Sequence, residues 1–128
     1  MSQKSNYLEG KIIEHVLRNV AYTSPSTVYL SLHTANPDED ASGTELSGNG
    51  YSRQAIAFGA HSGGACSNSA IESFTASGGS FGAITHFGIW DAASGNNLLY
   101  YGAVSPQKTI ADGDTLQFAA GSIVITET

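Results

Sequence analysis

The hydrophobic period changes near residue 27, from one apolar residue in every three or four to one in every two, and does not change back. Upstream, Leu8, Ile12, Val16 and Val20 recur every four residues with Ile13 and Leu17 on the same side, which predicts an amphipathic helix over about 7–20. Asn6 followed by Glu9 fits a capping box, and Pro25 stops the helix from running on. Gly10 costs about 1 kcal/mol relative to Ala inside such a helix, so the helix is expected to depend on packing its apolar face. Downstream, Val28, Leu30 and Leu32 alternate with Tyr29, Ser31 and His33, the pattern of a half-buried strand. Short β-rich runs follow at about 51–58, 66–74, 83–90, 97–104, 115–118 and 122–126. Gly48-Asn49-Gly50, Gly63-Gly64, Gly78-Gly79, the 94–97 segment and Asp112-Gly113-Asp114 supply the positive φ that tight corners require. The pattern predicts a mainly β protein: an antiparallel, jelly-roll-like β-sandwich with one N-terminal amphipathic α-helix.

One domain over 1–128 suits a 13.3 kDa chain that shows no repeat and no internal shift in composition. With 41% hydrophobic residues, a chain of this length builds a core without disulfide or metal staples. Cys66 is the sole cysteine, so an internal disulfide and a cysteine-based zinc site are excluded, and a small buried or half-buried side chain is expected. The polar opening segment lacks the pattern of a secretory signal, and no apolar run approaches the roughly 18 residues of a membrane span. A soluble protein made in a cytoplasm is the expectation. Only 12% of residues are charged, the net charge is −6, and the five basic residues are dispersed. That distribution argues against a nucleic-acid partner, which needs clustered Lys and Arg.

The segment over about 35–50 is acidic and reads as a long exposed loop. Asp38, Glu39, Asp40 and Glu45 could offer oxygens to Ca²⁺, but they lack the glycine and closing glutamate of an EF-hand loop, and a solvated loop is the preferred reading. His15, His33, His61 and His86 form no two-histidine helical motif. Gly78-Gly79-Ser80-Phe81-Gly82 has the spacing Gly-x-Ser-x-Gly, but it lies between predicted strands rather than opening a helix, so it does not read as a nucleophile elbow, and no protease-type cysteine motif is present. Gly78-Gly79-Ser80-Phe81-Gly82 lacks the Lys-Ser/Thr of a phosphate loop, and Asp112 with Asp114 sits in a turn. No metal, cofactor or enzymatic activity is therefore expected.

Phe81, Phe87, Trp90, Tyr100 and Tyr101 concentrate in the second half. Most are expected in the core, with any exposed member a natural interface anchor. Tyr100 and Tyr101 must point to opposite faces of a shared strand.

Several segments in order carry a resemblance: Tyr7-Leu8-Glu9 with His15-Val16-Leu17, Pro25 to Thr34, Gly50-Tyr51-Ser52-Arg53-Gln54, Thr85 to Asp91, and Asn97 to Gly102. Together they resemble small structural proteins of tailed bacteriophages, often labelled tail-fibre-like, and small cement proteins of cyanophage-type capsids. The resemblance implies a β-sandwich subunit that forms homo-oligomers, commonly trimers, and binds other virion proteins. Its first implication is a decoration or cement protein on the outer capsid surface that braces the major capsid protein. The alternative is a tail-fibre or baseplate module binding tail proteins or host-surface glycan. Under the cement reading the contact elements are Met1 to Asn6, the amphipathic helix and exposed strand edges; under the tail reading aromatics with Asn, Asp and Ser form the binding surface. The candidate interface residues are Tyr7, Leu8, Tyr51, Arg53, Trp90, Tyr100 and Tyr101.

Overall fold

The computed structural model describes residues 2–43 and 45–127. Met1 of the expected contact segment and Thr44 of the expected loop lie outside the described residues. The elements in chain order are β1 (Ser2–Lys4), α1 (Asn6–Leu17), β2 (Val28–His33), β3 (Gln54–Ile56), β4 (Ala65–Ser67), β5 (Glu72–Thr75), β6 (Gly82–Trp90), β7 (Leu98–Ile110), β8 (Thr115–Phe118) and β9 (Val124–Thr126).

Alternation along β2 decides the layering. Leu30 and Leu32 face inward and are fully buried, and β2 pairs antiparallel with β6 and β3. The resulting five-stranded sheet has the order β1-β7-β6-β2-β3. Opposite it lie two antiparallel ribbons, β4 with β9 and β5 with β8. Leu30, Leu32, Ile84 and Ile89 of the sheet meet Phe74, Leu116, Ile123 and Ile125 of the second layer in one core. The Phe74 and Phe118 rings meet edge to face at 6.4 Å, a favoured aromatic geometry. The protein is thus a mainly β, antiparallel β-sandwich with one helix near its N-terminus.

The outer face of the sheet is not solvated as the alternation of β2 suggests. Ser31 and His33 are as buried as the leucines beside them. Trp90, Leu98 and Tyr101 form a second cluster, with Ala41 of the 34–45 segment packed on it. That segment is anchored rather than wholly exposed: Pro37 is buried, Glu45 bridges to His33, and the Glu39 carbonyl accepts from the Asn6 amide at 2.9 Å. A strand shows its period, but nothing in the period reveals that a distant loop will fold back over its polar side.

Helix α1 starts one residue earlier than the capping-box reading. Ser5 is the cap, its Oγ accepting from the Leu8 amide at 3.2 Å while its own amide donates to the Leu99 carbonyl at 2.8 Å. Asn19, with φ 57°, ends the helix by turning left-handed, and the Val20 amide returns to the Glu14 carbonyl. The stop therefore precedes Pro25. Strand β1 carries no periodic signal; it is an edge strand on β7, registered Ser2 to Gly102 and Lys4 to Tyr100. Strand β7 runs on to Ile110, past the expected end at 104. His86 pairs with Ala103 and Ile84 with Lys108, so residues 104–107 bulge and Pro106 sits where a missing donor is tolerated.

One close packing point yields a prediction. A Cβ on Gly88 would lie 2.7 Å from Ser31 Oγ and 2.9 Å from Leu98 Cδ1, because the Trp90–Ser31 hydrogen bond passes over that glycine. Gly88→Ala should lose about 1–3 kcal/mol through overpacking, read as a lower urea midpoint with an unchanged m-value.

Candidate assembly surface

The chain buries only part of the apolar face of α1. Leu8 is buried and Ile12 half-buried, yet Ile13, Val16, Leu17 and Val20 are 54, 67, 76 and 48% exposed. Ile13, Val16 and Leu17, spaced i, i+3 and i+4, form one stripe along the helix, and Val20 follows beyond its left-handed stop at Asn19. Together they present on the order of 400 Å² of apolar surface, comparable to the largest apolar patch of a typical monomer, which often serves a function. The expectation that the helix packs its apolar face into the fold therefore holds only for the side carrying Leu8 and Ile12. The stripe borders a shallow cavity of about 320 Å³ lined by Tyr7, Gly10, Ile13, Val20 and Ala21. Tyr7 is half-buried at its rim, with the Lys11 ammonium 5.5 Å from its ring centroid.

The other candidate interface residues lie further in. Leu8 holds α1 to the body. Tyr51, Arg53 and Trp90 are brought together around Glu45. The Arg53 guanidinium donates to both Glu45 oxygens, at 2.9 and 2.8 Å, and to the carbonyls of Ala92 and Gly95 at 2.9 and 3.1 Å. Its Cζ lies 3.9 Å from the Trp90 ring centroid, and its side chain is only 6% exposed. Tyr51 donates to Glu45 at 2.6 Å, accepts from the Leu32 amide at 3.2 Å, and stacks on Phe74. Burial works against the Glu45 carboxylate, but hydrogen bonds from Arg53 and Tyr51 outweigh it and hold its pKa below the usual value. The same contacts push the Tyr51 hydroxyl well above the usual tyrosine range: burial first, then Glu45. Below Arg53, Trp90 Nε1 donates to Ser31 Oγ at 2.7 Å, and that oxygen lies 2.7 Å from His33 Nε2.

Tyr100 and Tyr101 do point to opposite faces. Tyr100 packs against the main core and donates to Glu127 at 2.7 Å, whereas Tyr101 joins Trp90 in the outer cluster. Glu127 also receives Lys4, and the Thr126 amide donates to Ser2 Oγ, so the two ends of the chain are tied together. Burial opposes the ionised Glu127, and Lys4 and Tyr100 overcome it to lower its pKa. Of the histidines, His15 and His61 are exposed, and His86 is shifted downward by burial against an opposing pull from Asp38. Among the described residues no three His, Cys, Asp or Glu groups are placed to hold a metal ion, and no helix is long and apolar enough to cross a membrane.

Sequence reasoning missed Ser31 and Glu45 as partners in this network. The signal available was the Tyr51–Arg53 pair, same-facing in extended chain, in a sequence with few cations to spare and one acidic residue six positions upstream of the tyrosine.

No curated protein matches the chain. A family model described as podophage GP4 fiber I protein gp80 does match it, over residues 3–126. That span takes in all but the first residue of β1, the exposed helical stripe, the Arg53 network and all the remaining strands, so the agreement extends across the sandwich. The chain therefore belongs to the podophage GP4 fiber I protein gp80 family, and it is a phage virion structural protein.

Proposed function

We propose that this protein is a fibre-associated building block of the phage particle that works by assembling with copies of itself and with neighbouring virion proteins, without catalysis. The observation that carries the fibre reading is the family match over residues 3–126. The exposed stripe on α1 supports self-assembly: an apolar helix face left uncovered by its own fold is satisfied when identical helices pack side by side. Two such stripes meeting would bury roughly 800 Å², short of the about 1,200 Å² of a specific pair. A closed trimer, the state the resemblance implies, divides the same stripe between two neighbours and so needs further contact outside it. The low charge density suits such assembly, since few charges must be desolvated at the contacts.

A cement role on the capsid is the second reading, favoured by the resemblance to small cement proteins and by the acidic excess, which discourages contact with packaged DNA. Gel densitometry of separated particles discriminates the two. The fibre reading expects a few trimers per virion, recovered with tails or fibres and absent from isolated heads. Hundreds of copies retained on fibreless heads would overturn it.

A further inference from the structure

The chain leaves the sheet at His33 and comes back beside it. His33 pairs antiparallel with Glu45, and the Leu46 amide donates to the Leu32 carbonyl at 3.1 Å. From this neck residues 34–43 fold over the outer face of the sheet: Pro37 is buried, the Gly43 amide donates to the Pro37 carbonyl at 3.2 Å, and Ala41 packs on Trp90, Leu98 and Tyr101. His33 is 1% exposed, and its ring lies nearly parallel to that of Trp90 at 6.5 Å. Directly opposite it on β6 is the half-buried His86, so the two imidazoles share the covered face of the sheet.

Ser31 selects the protonation state that this packing accepts. Trp90 Nε1 can only donate, so Ser31 Oγ accepts from it at 2.7 Å and has one proton of its own to give. His33 Nε2 at 2.7 Å is the better acceptor than the Gly88 carbonyl at 3.3 Å. A proton on Nε2 would turn the hydroxyl to the longer contact and place charge on a side chain shut away from water. The ionisable groups around the pair do not remove that cost. Glu45 is committed to Arg53 and Tyr51. Tyr101, on the same face, is held neutral by burial and nearby carboxylates. Asp38 acts on His86, where burial prevails over it and lowers the imidazole pKa. We propose that residues 34–43 are an acid-released flap: protonation of His33, reinforced by like charge on His86, opens the neck and uncovers the Trp90, Leu98 and Tyr101 cluster. A closed state that excludes protons loses ground to the open one as pH falls through the ordinary histidine value of about 6.5. That window lies above the one in which Glu45 protonates, since its pKa is lowered. The flap does not depend on the fibre reading.

Amide hydrogen exchange of the full chain tests this. Between about pH 7.5 and about pH 5.5, after correction for the intrinsic pH dependence of exchange, protection of the Asn6, Gly43 and Leu46 amides should fall about tenfold or more, while Leu30 and Ile89 in the sheet keep theirs. Trp90 is the sole tryptophan, so its emission should move to the red over the same window. His33→Gln keeps a polar group beside Ser31 without a titrating ring and should abolish both responses; His86→Gln should leave a smaller one. Imidazole NMR titration of the parent protein decides the matter without any variant: His33 taking up a proton in this window with the three amides still protected would overturn the proposal. So would protection that stays constant down to about pH 5.5, or a response of equal size in folded His33→Gln.

Discussion

Arg53→Ala is expected to cost about 3–5 kcal/mol of folding stability, the range seen when one partner of a buried ion pair is removed and the other charge is left behind. For a chain of this size that is roughly 10–20 °C in Tm. Four hydrogen bonds end on this one guanidinium, and it covers a face of Trp90. It ties the segment after the acidic loop to the 91–97 turn, which Asp91 closes by accepting from the backbone and side chain of Asn97. Lysine cannot replace the planar fork, so Arg53→Lys should recover only a minor part of the loss. The acid response gives an independent reading. In the folded protein Glu45 has a lowered pKa, so its contribution is fully present above the usual glutamate value and disappears as pH falls through the lower folded-state value. Urea midpoints measured from pH 7 downward should fall across that window in the parent protein. In Arg53→Ala the main counter-charge is gone while burial still opposes ionisation, and this acid-side slope should flatten or reverse. A variant with an unchanged midpoint and the parent's pH profile would show that the network carries no stability.

The contrast between Arg53 and the helical stripe shows what the sequence reveals and what it withholds. Period and punctuation are local properties, and they are sufficient for the β2 leucines, the glycine corners and the opposite orientations of Tyr100 and Tyr101. They cannot find β1, whose three polar residues form a strand only because β7 offers an edge. Nor can they find the burial of Ser31 and His33, which depends on the 34–45 segment closing over a strand's outer side. Tyr51, Arg53 and Trp90 stand out in a sequence for the same reason whether they serve a partner or the interior: they are large, amphipathic and rare here. Only the third dimension shows them occupied by Glu45 and Ser31. With α1 the direction is reversed. The periodicity identifies an apolar face correctly, but the same spacing of apolar residues arises whether the cover comes from the same chain or from another.

That ambiguity makes the stripe the most informative place to mutate. If identical helices supply the cover, the parent protein should run in light scattering at about three times its 13.3 kDa chain mass, and Val16→Lys with Leu17→Lys should release monomers. Each lysine would place a charge in a dry helix–helix contact, so the pair should weaken association by about 100-fold or more. In the separated chain the same positions are 67 and 76% exposed, so the released monomer should keep its β-rich circular dichroism spectrum and lose only the stability that assembly itself contributes. Leu8→Lys is the necessary contrast. Leu8 is 5% exposed, and a charge there should detach or unfold α1, lowering the stability of the monomer itself by the several kcal/mol of an unpaired buried cation. Two variants of one short helix should thus separate cleanly, one changing mass at constant fold and the other changing fold at any mass. A parent protein that stays monomeric at high concentration, or a Val16→Lys/Leu17→Lys variant that remains a trimer, would show that copies of this chain do not cover the stripe.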